Sequence, residues 1–233
     1  MTGDAGSDII GHFRAGWATL RRYPVLVVPQ IVAQAAVFGL TLLLVGAAAT
    51  AFAIGGVAGG VVGLAVGGLL SALVVGVVSL VASAVVIVMA KDALAGRDPA
   101  MGDALGAVMG RLGDVVIASV LAMVAVGIGM LLLVLPGLVA AFFLVFTLPA
   151  VLLDGDGAID AIKRSVAVVK DNLGAAAGLV VGWIVVAVIV GIASKILAVV
   201  PVIGWLASGV LFGAAVAYMS IVAVRVYQAL PRR

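Results

Sequence analysis

The hydrophobic positions of this chain form four long runs that contain no charged residue, separated by short polar segments. The runs cover residues 23–90, 115–153, 172–194 and 196–224. A helix needs about 20 apolar residues to cross a hydrocarbon core of about 30 Å. The first run is long enough for two or even three spans, the second fits two short ones, and the last two fit one each. The pattern therefore predicts a bundle of membrane-spanning helices.

The positions of the basic residues choose between the possible numbers of spans. Twelve of the 13 Lys and Arg residues fall before the first run, in the two charged segments that follow the first and second runs, or in the C-terminal tail. An even number of spans between these four segments puts all twelve in the cytoplasm, as the positive-inside rule requires. An odd number in the first run would put about half of them on the wrong side. We therefore predict six spans with both termini in the cytoplasm.

The six predicted spans pair into three helical hairpins. Their approximate bounds are 24–50, 58–90, 115–135, 138–153, 173–198 and 203–228. Pro136-Gly137 predicts the turn of the second hairpin, and Pro201 with Gly204 predicts that of the third. The first turn, within 50–60, is the hardest to place because its glycines fit either a loop or a helix.

A short amphipathic segment precedes each predicted hairpin. The three segments are 8–22, 98–112 and 156–171. Apolar residues recur in them every three or four positions among charged ones, which is typical of a helix that lies in the membrane interface. In the third segment Asp160 and Arg164 stand four apart, a favourable spacing for an ion pair. The predicted fold is thus a single all-α integral membrane domain over residues 1–233, with each hairpin preceded by a cytoplasmic interfacial helix.

Composition excludes several classes of protein. The chain of 233 residues is 66% hydrophobic and only 10% charged, whereas soluble domains are about 25% charged. It has no cysteine and a net charge of only +3. These values exclude a soluble globule, a disulfide-linked secreted domain and a disordered chain, and they give no support for a nucleic-acid partner.

Glycines recur at every fourth position in three of the predicted spans, as in a glycine zipper. The positions are Gly55, Gly59, Gly63 and Gly67, then Gly174, Gly178 and Gly182, and finally Gly209 and Gly213. Such stripes let helix backbones approach each other closely in lipid. Packing within the chain is the favoured interpretation, and a seam for gating or for a second copy is the alternative.

Four polar residues inside the predicted spans form the candidate site. Gln30 and Gln34 lie one turn apart in the first span, and Ser79 and Ser83 lie in the second. Buried amides need hydrogen-bond partners, and intramembrane polar groups often mark a substrate pathway. Hydrogen bonding between helices is favoured over a pathway. Lys195, the one basic residue outside the cytoplasmic set, is predicted at the outer interface, where it can snorkel.

The sequence contains no pattern typical of catalysis, and we expect no enzyme activity, no cofactor and no metal site. The stretch 154–157 (Asp-Gly-Asp-Gly) begins like a calcium loop, but the twelfth position is Ser165 instead of Glu. The favoured interpretation is a turn that N-caps the following helix. His12 has no second His and no Cys or Glu to complete a metal site.

The stretch from Phe142 to Asn172 is the most distinctive part of the sequence. An aromatic-rich helix ends in Leu148-Pro149, a turn follows, and the next helix carries Ala-Ile-Lys-Arg-Ser at 161–165. This order resembles prokaryotic six-helix membrane proteins of uncharacterised function. It is also similar to the membrane region attached to some glycerophosphodiester phosphodiesterases. The resemblance implies a six-helix architecture in the prokaryotic cytoplasmic membrane. It implies no activity, because the phosphodiesterase chemistry belongs to a separate soluble domain that this sequence does not contain.

Two functions follow as expectations. The first is a non-catalytic membrane scaffold or lipid-associated envelope factor, with membrane lipids as partners and with a second copy or another membrane protein as further candidates. The alternative is a transporter or channel for a small or lipidic substrate, in which the glutamines and serines of the candidate site would line the path.

Overall fold

A computed structural model of the protein describes residues 9–197, 199 and 203–230. The described residues form helices and turns, without a strand. The helices are α1 Ile9–Arg22, α2 Val28–Leu94, α3 Met101–Met109, α4 Leu112–Leu132, α5 Val134–Phe143, α6 Thr147–Pro149, α7 Ala158–Asp171, α8 Leu173–Leu197 and α9 Ile203–Ala229. A 3-10 turn, Pro24–Val27, precedes α2, and a π-helical turn, Ala150–Asp154, follows α6. Several positions used in the predictions lie outside the described residues, namely Asp8, Ala198, Pro201, Arg232 and Arg233.

Six helical segments of the described chain are long and apolar enough to cross a membrane. They are Pro24–Gly68, Val74–Leu94, Leu112–Leu132, Val134–Asp154, Leu173–Leu197 and Leu206–Ala229. The prediction of an all-α protein with six candidate spans is therefore confirmed. The first of these segments runs past a sharp bend in α2, and we take this bend as the physical boundary between the first two spans.

The bend in α2 lies at Gly56, the one position where the helix departs from helical geometry. Its φ of 60° and ψ of −151° are accessible to glycine and strained for other residues. The two arms, 28–55 and 57–94, approach each other: a β-carbon added at Gly67 would lie 3.3 Å from Leu44. The predicted turn within 50–60 is thus a single residue and not a loop.

The second arm of α2 is much longer than the neighbouring helices. At about 1.5 Å per residue it measures about 57 Å, whereas the 21 residues of α4 measure about 31 Å. α9 meets the first arm where Gly213 packs on Gln30. Beyond that contact, most side chains on either side of the bend are exposed, such as Ile54 before it and Leu64 after it. Much of α2 therefore extends past the packed part of the protein.

The break between α4 and α5 lies at Leu133, whose backbone is extended. The prediction of a turn at Pro136-Gly137 is wrong by three residues, because both residues lie inside α5. Proline is tolerated in the first turn of a helix, where its missing N–H would have no partner. Gly137 is buried against Gly129 of α4: a β-carbon added at Gly129 would lie 2.7 Å from the Gly137 Cα. The glycine serves close packing instead of chain reversal.

Two other predicted elements are shorter than expected. The segment 98–112 contains α3 only over Met101–Met109. The predicted span 138–153 is interrupted, because α5 ends at Phe143 and helix resumes at Thr147. This interruption leaves backbone groups that need partners outside their own helix.

The best-packed part of the core lies at the end of the bundle that carries the short charged helices. Its largest fully buried side chains are Leu26, Met89, Phe146, Leu179, Met219 and Ile221. They come from the 3-10 turn before α2, the end of α2, the start of α8, the second half of α9 and the interruption after α5. This packing fixes the helices that carry the polar groups described next.

Candidate functional site

The structure brings two of the four predicted site residues together. Gln30 Nε2 donates a hydrogen bond to Ser83 Oγ over 3.1 Å. The side chain of Gln30 is only 3% exposed. It lies against Gly213, where an added β-carbon would be 3.1 Å from the Gln30 Cβ. This bond joins the two arms of α2, and the absence of a side chain at Gly213 lets α9 close over it.

Gln34 belongs to a different environment from Gln30. It lines a half-open cavity of about 350 Å³ between α2, α8 and α9, together with Ser194 and Ser208. The other walls are apolar, including Ile31 and Phe212. The predicted cluster therefore divides into a buried pair and a cavity, and the half-buried Ser79 is not among the residues that line the cavity.

A second polar constellation, which sequence reasoning missed, joins α4, α5, α7 and α9. We call it the charged junction, and it consists of Arg111, Asp114, Asp154, Asp156, Arg164, Ser165 and Tyr227. Ser165, the residue after Arg164 in α7, is fully buried. Its Oγ donates to the Phe143 carbonyl over 2.7 Å and accepts from the Phe146 N–H over 3.1 Å. Ser165 thus supplies partners to backbone groups exposed by the interruption after α5.

Arg164 is the cation of the charged junction that forms ion pairs. Its guanidinium donates to both carboxylate oxygens of Asp156 and lies 3.9 Å from Asp154. The hydrogen bond that Arg164 donates to Asp156 is the main reason that the pKa of Arg164 is raised. Asp154 also accepts a hydrogen bond from the Tyr227 hydroxyl. The junction thereby ties the segment after α6 to both α7 and α9.

The ion pair predicted between Asp160 and Arg164 is wrong. Asp160 pairs instead with Lys163 over 3.4 Å, and both side chains are largely exposed. Arg164 points toward the turn that precedes α7, where the two less exposed carboxylates of Asp154 and Asp156 lie. Tertiary proximity therefore prevails over the four-residue spacing on the helix.

The side-chain hydrogen bond that caps the start of α7 comes from α4. Ala158 N–H donates to Asp114 Oδ1 over 3.4 Å, and Arg111 Nη1 donates to the Gly155 carbonyl over 2.8 Å. The predicted turn at 154–157 does supply the N-cap residue, Gly157, but this glycine makes no side-chain bond. The cap comes from a residue 44 positions earlier in the chain.

The charged junction holds helices together, and its groups satisfy one another. Among the described residues, no three His, Cys, Asp or Glu side chains lie close enough to hold a metal ion. One sequence signal does point to the junction. Arg164 and Ser165 belong to the Ala-Ile-Lys-Arg-Ser helix that carries the resemblance described above, although nothing in the sequence identifies Tyr227 as a partner.

The fold and the charged junction define an all-α membrane protein whose polar side chains are used largely to join its helices. The chain belongs to the DUF7847 family, described as a domain of unknown function, whose family model matches residues 8–230. No curated protein and no solved structure matches the chain.

Proposed function

We propose that the protein is a non-catalytic scaffold or lipid-associated factor of the prokaryotic cytoplasmic membrane. The outward face of α1 carries this proposal. Ile10, Arg14, Trp17 and Arg21 follow one another at helical spacing and are all exposed. Apolar side chains that alternate with arginines along one face are typical of a helix that rests on lipid, because the rings and alkyl groups insert while the guanidinium groups reach the headgroups.

The opposite face of α1 supports the same proposal by holding the helix on the bundle. The Phe13 ring fills the space left by Gly182 of α8, where an added β-carbon would overlap it. Phe13 also packs against Tyr218 of α9, with ring centroids 6.3 Å apart, and its carbonyl accepts a hydrogen bond from the Tyr218 hydroxyl over 3.1 Å. A helix fixed in this way presents its lipid-binding face in a defined orientation.

We further propose that α1, α3 and α7 are interfacial helices, each followed by a helical hairpin. Support for the hairpins comes from the contacts between the two arms of α2, between Gly129 and Gly137, and between α8 and α9. Support for the interfacial helices comes from α7, whose Ala161 and Val169 are buried while Lys163 is exposed. On this proposal the glycine stripes are packing seams within the chain, since Gly63, Gly182 and Gly213 each face side chains of the same molecule.

The orientation of the spans predicts which positions a membrane-impermeant thiol reagent labels in intact cells. The natural chain has no cysteine, so any labelling of the protein comes from the single cysteine that is introduced. A cysteine at Ala53, near the bend of α2, is expected to react from outside. A cysteine at Ala95, in the exposed turn after α2, is expected to react only after the cells are opened. A reporter fused after Arg233 is expected to read cytoplasmic, and the reverse pattern would refute the orientation.

Lipid association predicts that the protein changes the composition of the lipid around it. Extraction of the membrane into polymer nanodiscs is expected to enrich anionic lipid in the discs that contain the protein by about twofold or more over the bulk membrane. The double variant Arg14→Gln, Arg21→Gln is expected to lose most of this enrichment. The control, Arg97→Gln with Lys195→Gln, removes the same charge elsewhere and is expected to keep it. An unchanged lipid profile, with no protein co-extracted, counts against the proposal.

A transporter for a small or lipidic substrate is the second candidate, and the cavity beside Gln34 favours it. Its lining combines amide and hydroxyl groups with apolar walls, as an amphiphilic substrate requires. Proteoliposomes carrying fluorescent lipid probes test this function. Leucine at Gly209, which lines the cavity, is expected to block flux, whereas leucine at Gly191, which faces open space, is expected to leave it unchanged. Flux no greater than that of empty vesicles removes this candidate.

A further inference from the structure

Arg225, near the end of α9, is a half-buried cation without a partner in the described part of the chain. Its Nε atom is buried and makes no hydrogen bond there. The ion pairs that the structure shows among described residues all involve other cations, namely Arg97, Lys163 and Arg164. A buried polar group without a partner is costly. Arg225 therefore stands out as a group suited to bind an external anion.

Two clefts open beside Arg225, between α1, the end of α2 and α9. The first, of about 270 Å³, is lined by His12, Leu94, Gln228 and Ala229. The second, of about 280 Å³, contains Arg22 and Tyr23 together with small apolar residues of α1 and α2. Both clefts share Arg225 and Leu94, and neither is lined by an aspartate. Among the described residues that line the clefts, the polar groups are thus cationic or hydrogen-bonding, and none is a carboxylate.

We propose that Arg225 and Arg22 bind the phosphate of an anionic phospholipid headgroup. The planar guanidinium group offers paired N–H donors that match two phosphate oxygens. Gln228 adds a hydrogen-bonding amide at the neighbouring cleft, and Leu94 gives an apolar surface against which the glycerol and the first acyl carbons pack. A free phosphate would use the same cations but would gain nothing from the apolar wall.

The position of the clefts favours a lipid as the source of the phosphate. They adjoin α1, whose outward face rests on lipid under the proposed function, and this inference rests on that proposal. Arg22 lies at the end of α1, directly before the first span. Headgroup phosphates are the most abundant anions at such a boundary.

The test uses the full chain in detergent micelles, with lipid binding measured by native mass spectrometry. Phosphatidylglycerol and phosphatidylcholine are the two probes, and we expect a clear preference for phosphatidylglycerol. Arg225→Gln is expected to weaken phosphatidylglycerol binding about tenfold, the loss of one charge-assisted paired contact. Arg22→Gln, at an exposed position at the end of α1, is expected to weaken phosphatidylglycerol binding severalfold. The matched control Arg97→Gln removes an exposed arginine outside both clefts and is expected to change binding less than about twofold.

Each outcome decides between the possible sites. The lipid site is supported if Arg225→Gln and Arg22→Gln weaken phosphatidylglycerol binding and if excess inorganic phosphate does not displace the lipid. Displacement of the lipid by inorganic phosphate alone transfers the site to free phosphate and overturns the lipid assignment. Equal binding of the two lipids, or equal losses in all three variants, overturns the site altogether. If Arg225→Gln does not fold, Arg22→Gln decides. If Arg225→Gln keeps both its phosphatidylglycerol binding and its enrichment of anionic lipid in nanodiscs, this site alone is refuted. If the natural chain shows no enrichment of anionic lipid, the proposed function is refuted.

Discussion

Leucine in place of Gly129 is expected to force α4 and α5 apart. A β-carbon at this position already lies 2.7 Å from the backbone of Gly137, and backbone atoms cannot move aside as a flexible side chain does. Overpacking of this kind destabilises by about 3 kcal/mol, the upper end of the usual range. For a chain of this size that corresponds to a fall of roughly 6–12 °C in the midpoint of thermal unfolding. The midpoint is measured by circular dichroism of the protein in detergent as the temperature is raised.

Gly127 provides the matched control in the same helix. A β-carbon added there meets nothing within 4 Å, so Gly127→Leu adds the same atoms without a clash. The change also removes a glycine from a helix interior, which is worth about 0.5–1 kcal/mol in its favour. The midpoint of thermal unfolding of Gly127→Leu is therefore expected to equal that of the natural chain or to lie slightly above it. Equal midpoints for the two variants would contradict the close packing of α4 on α5.

Alanine in place of Ser165 is expected to destabilise the charged junction by about 2–4 kcal/mol. The change removes one hydroxyl group but leaves two backbone groups, the Phe143 carbonyl and the Phe146 N–H, without their partner. Each buried group left unpaired costs about 1–3 kcal/mol. Thermal unfolding measures the total loss, and hydrogen exchange read by mass spectrometry isolates the Phe146 amide, which is expected to exchange faster.

Ser220→Ala separates this effect from the general loss of a hydroxyl group. Ser220 donates only within α9, to the carbonyl of Val216 over 2.8 Å, so its removal leaves no backbone group without a partner. We expect the Ser220 variant to lose less than about 1 kcal/mol. Unchanged exchange at the Phe146 amide in Ser165→Ala would show that Ser165 does not hold the interruption together.

The number of spans was predictable because it depends on the long-range distribution of charge, which the sequence displays directly. The turns were not, because their positions depend on contacts between helices. Pro136-Gly137 has the composition of a turn, yet Gly137 is used for packing against Gly129 and the chain breaks at Leu133. The position of the bend at Gly56 was not predictable for a related reason, because several neighbouring glycines could equally have formed the turn.

Only part of the candidate site was within reach of the sequence. Gln30 and Ser83 stand out because amides and hydroxyls are rare in apolar spans, and the structure pairs them. The charged junction depends on partners far apart in the chain: Tyr227 reaches an aspartate 73 residues away. Local spacing predicted Asp160 as the partner of Arg164, because the turn that brings Asp156 closer depends on tertiary structure. Arg225 likewise could not be predicted as a binding residue, because the two clefts beside it form only in the folded protein.

The length of α2 sets up a hydrophobic mismatch with the bilayer. A hydrocarbon core is about 30 Å thick, so an upright second arm of about 57 Å would carry exposed apolar side chains such as Val57 and Leu64 into water. Burying such surface is worth about 25 cal/mol per Å², which opposes that arrangement. The arms must tilt far beyond the average of about 20°, or the surrounding bilayer must thicken. Thickening changes the bilayer near the protein, and it would give the proposed scaffold a physical means of selecting neighbours by the length of their spans.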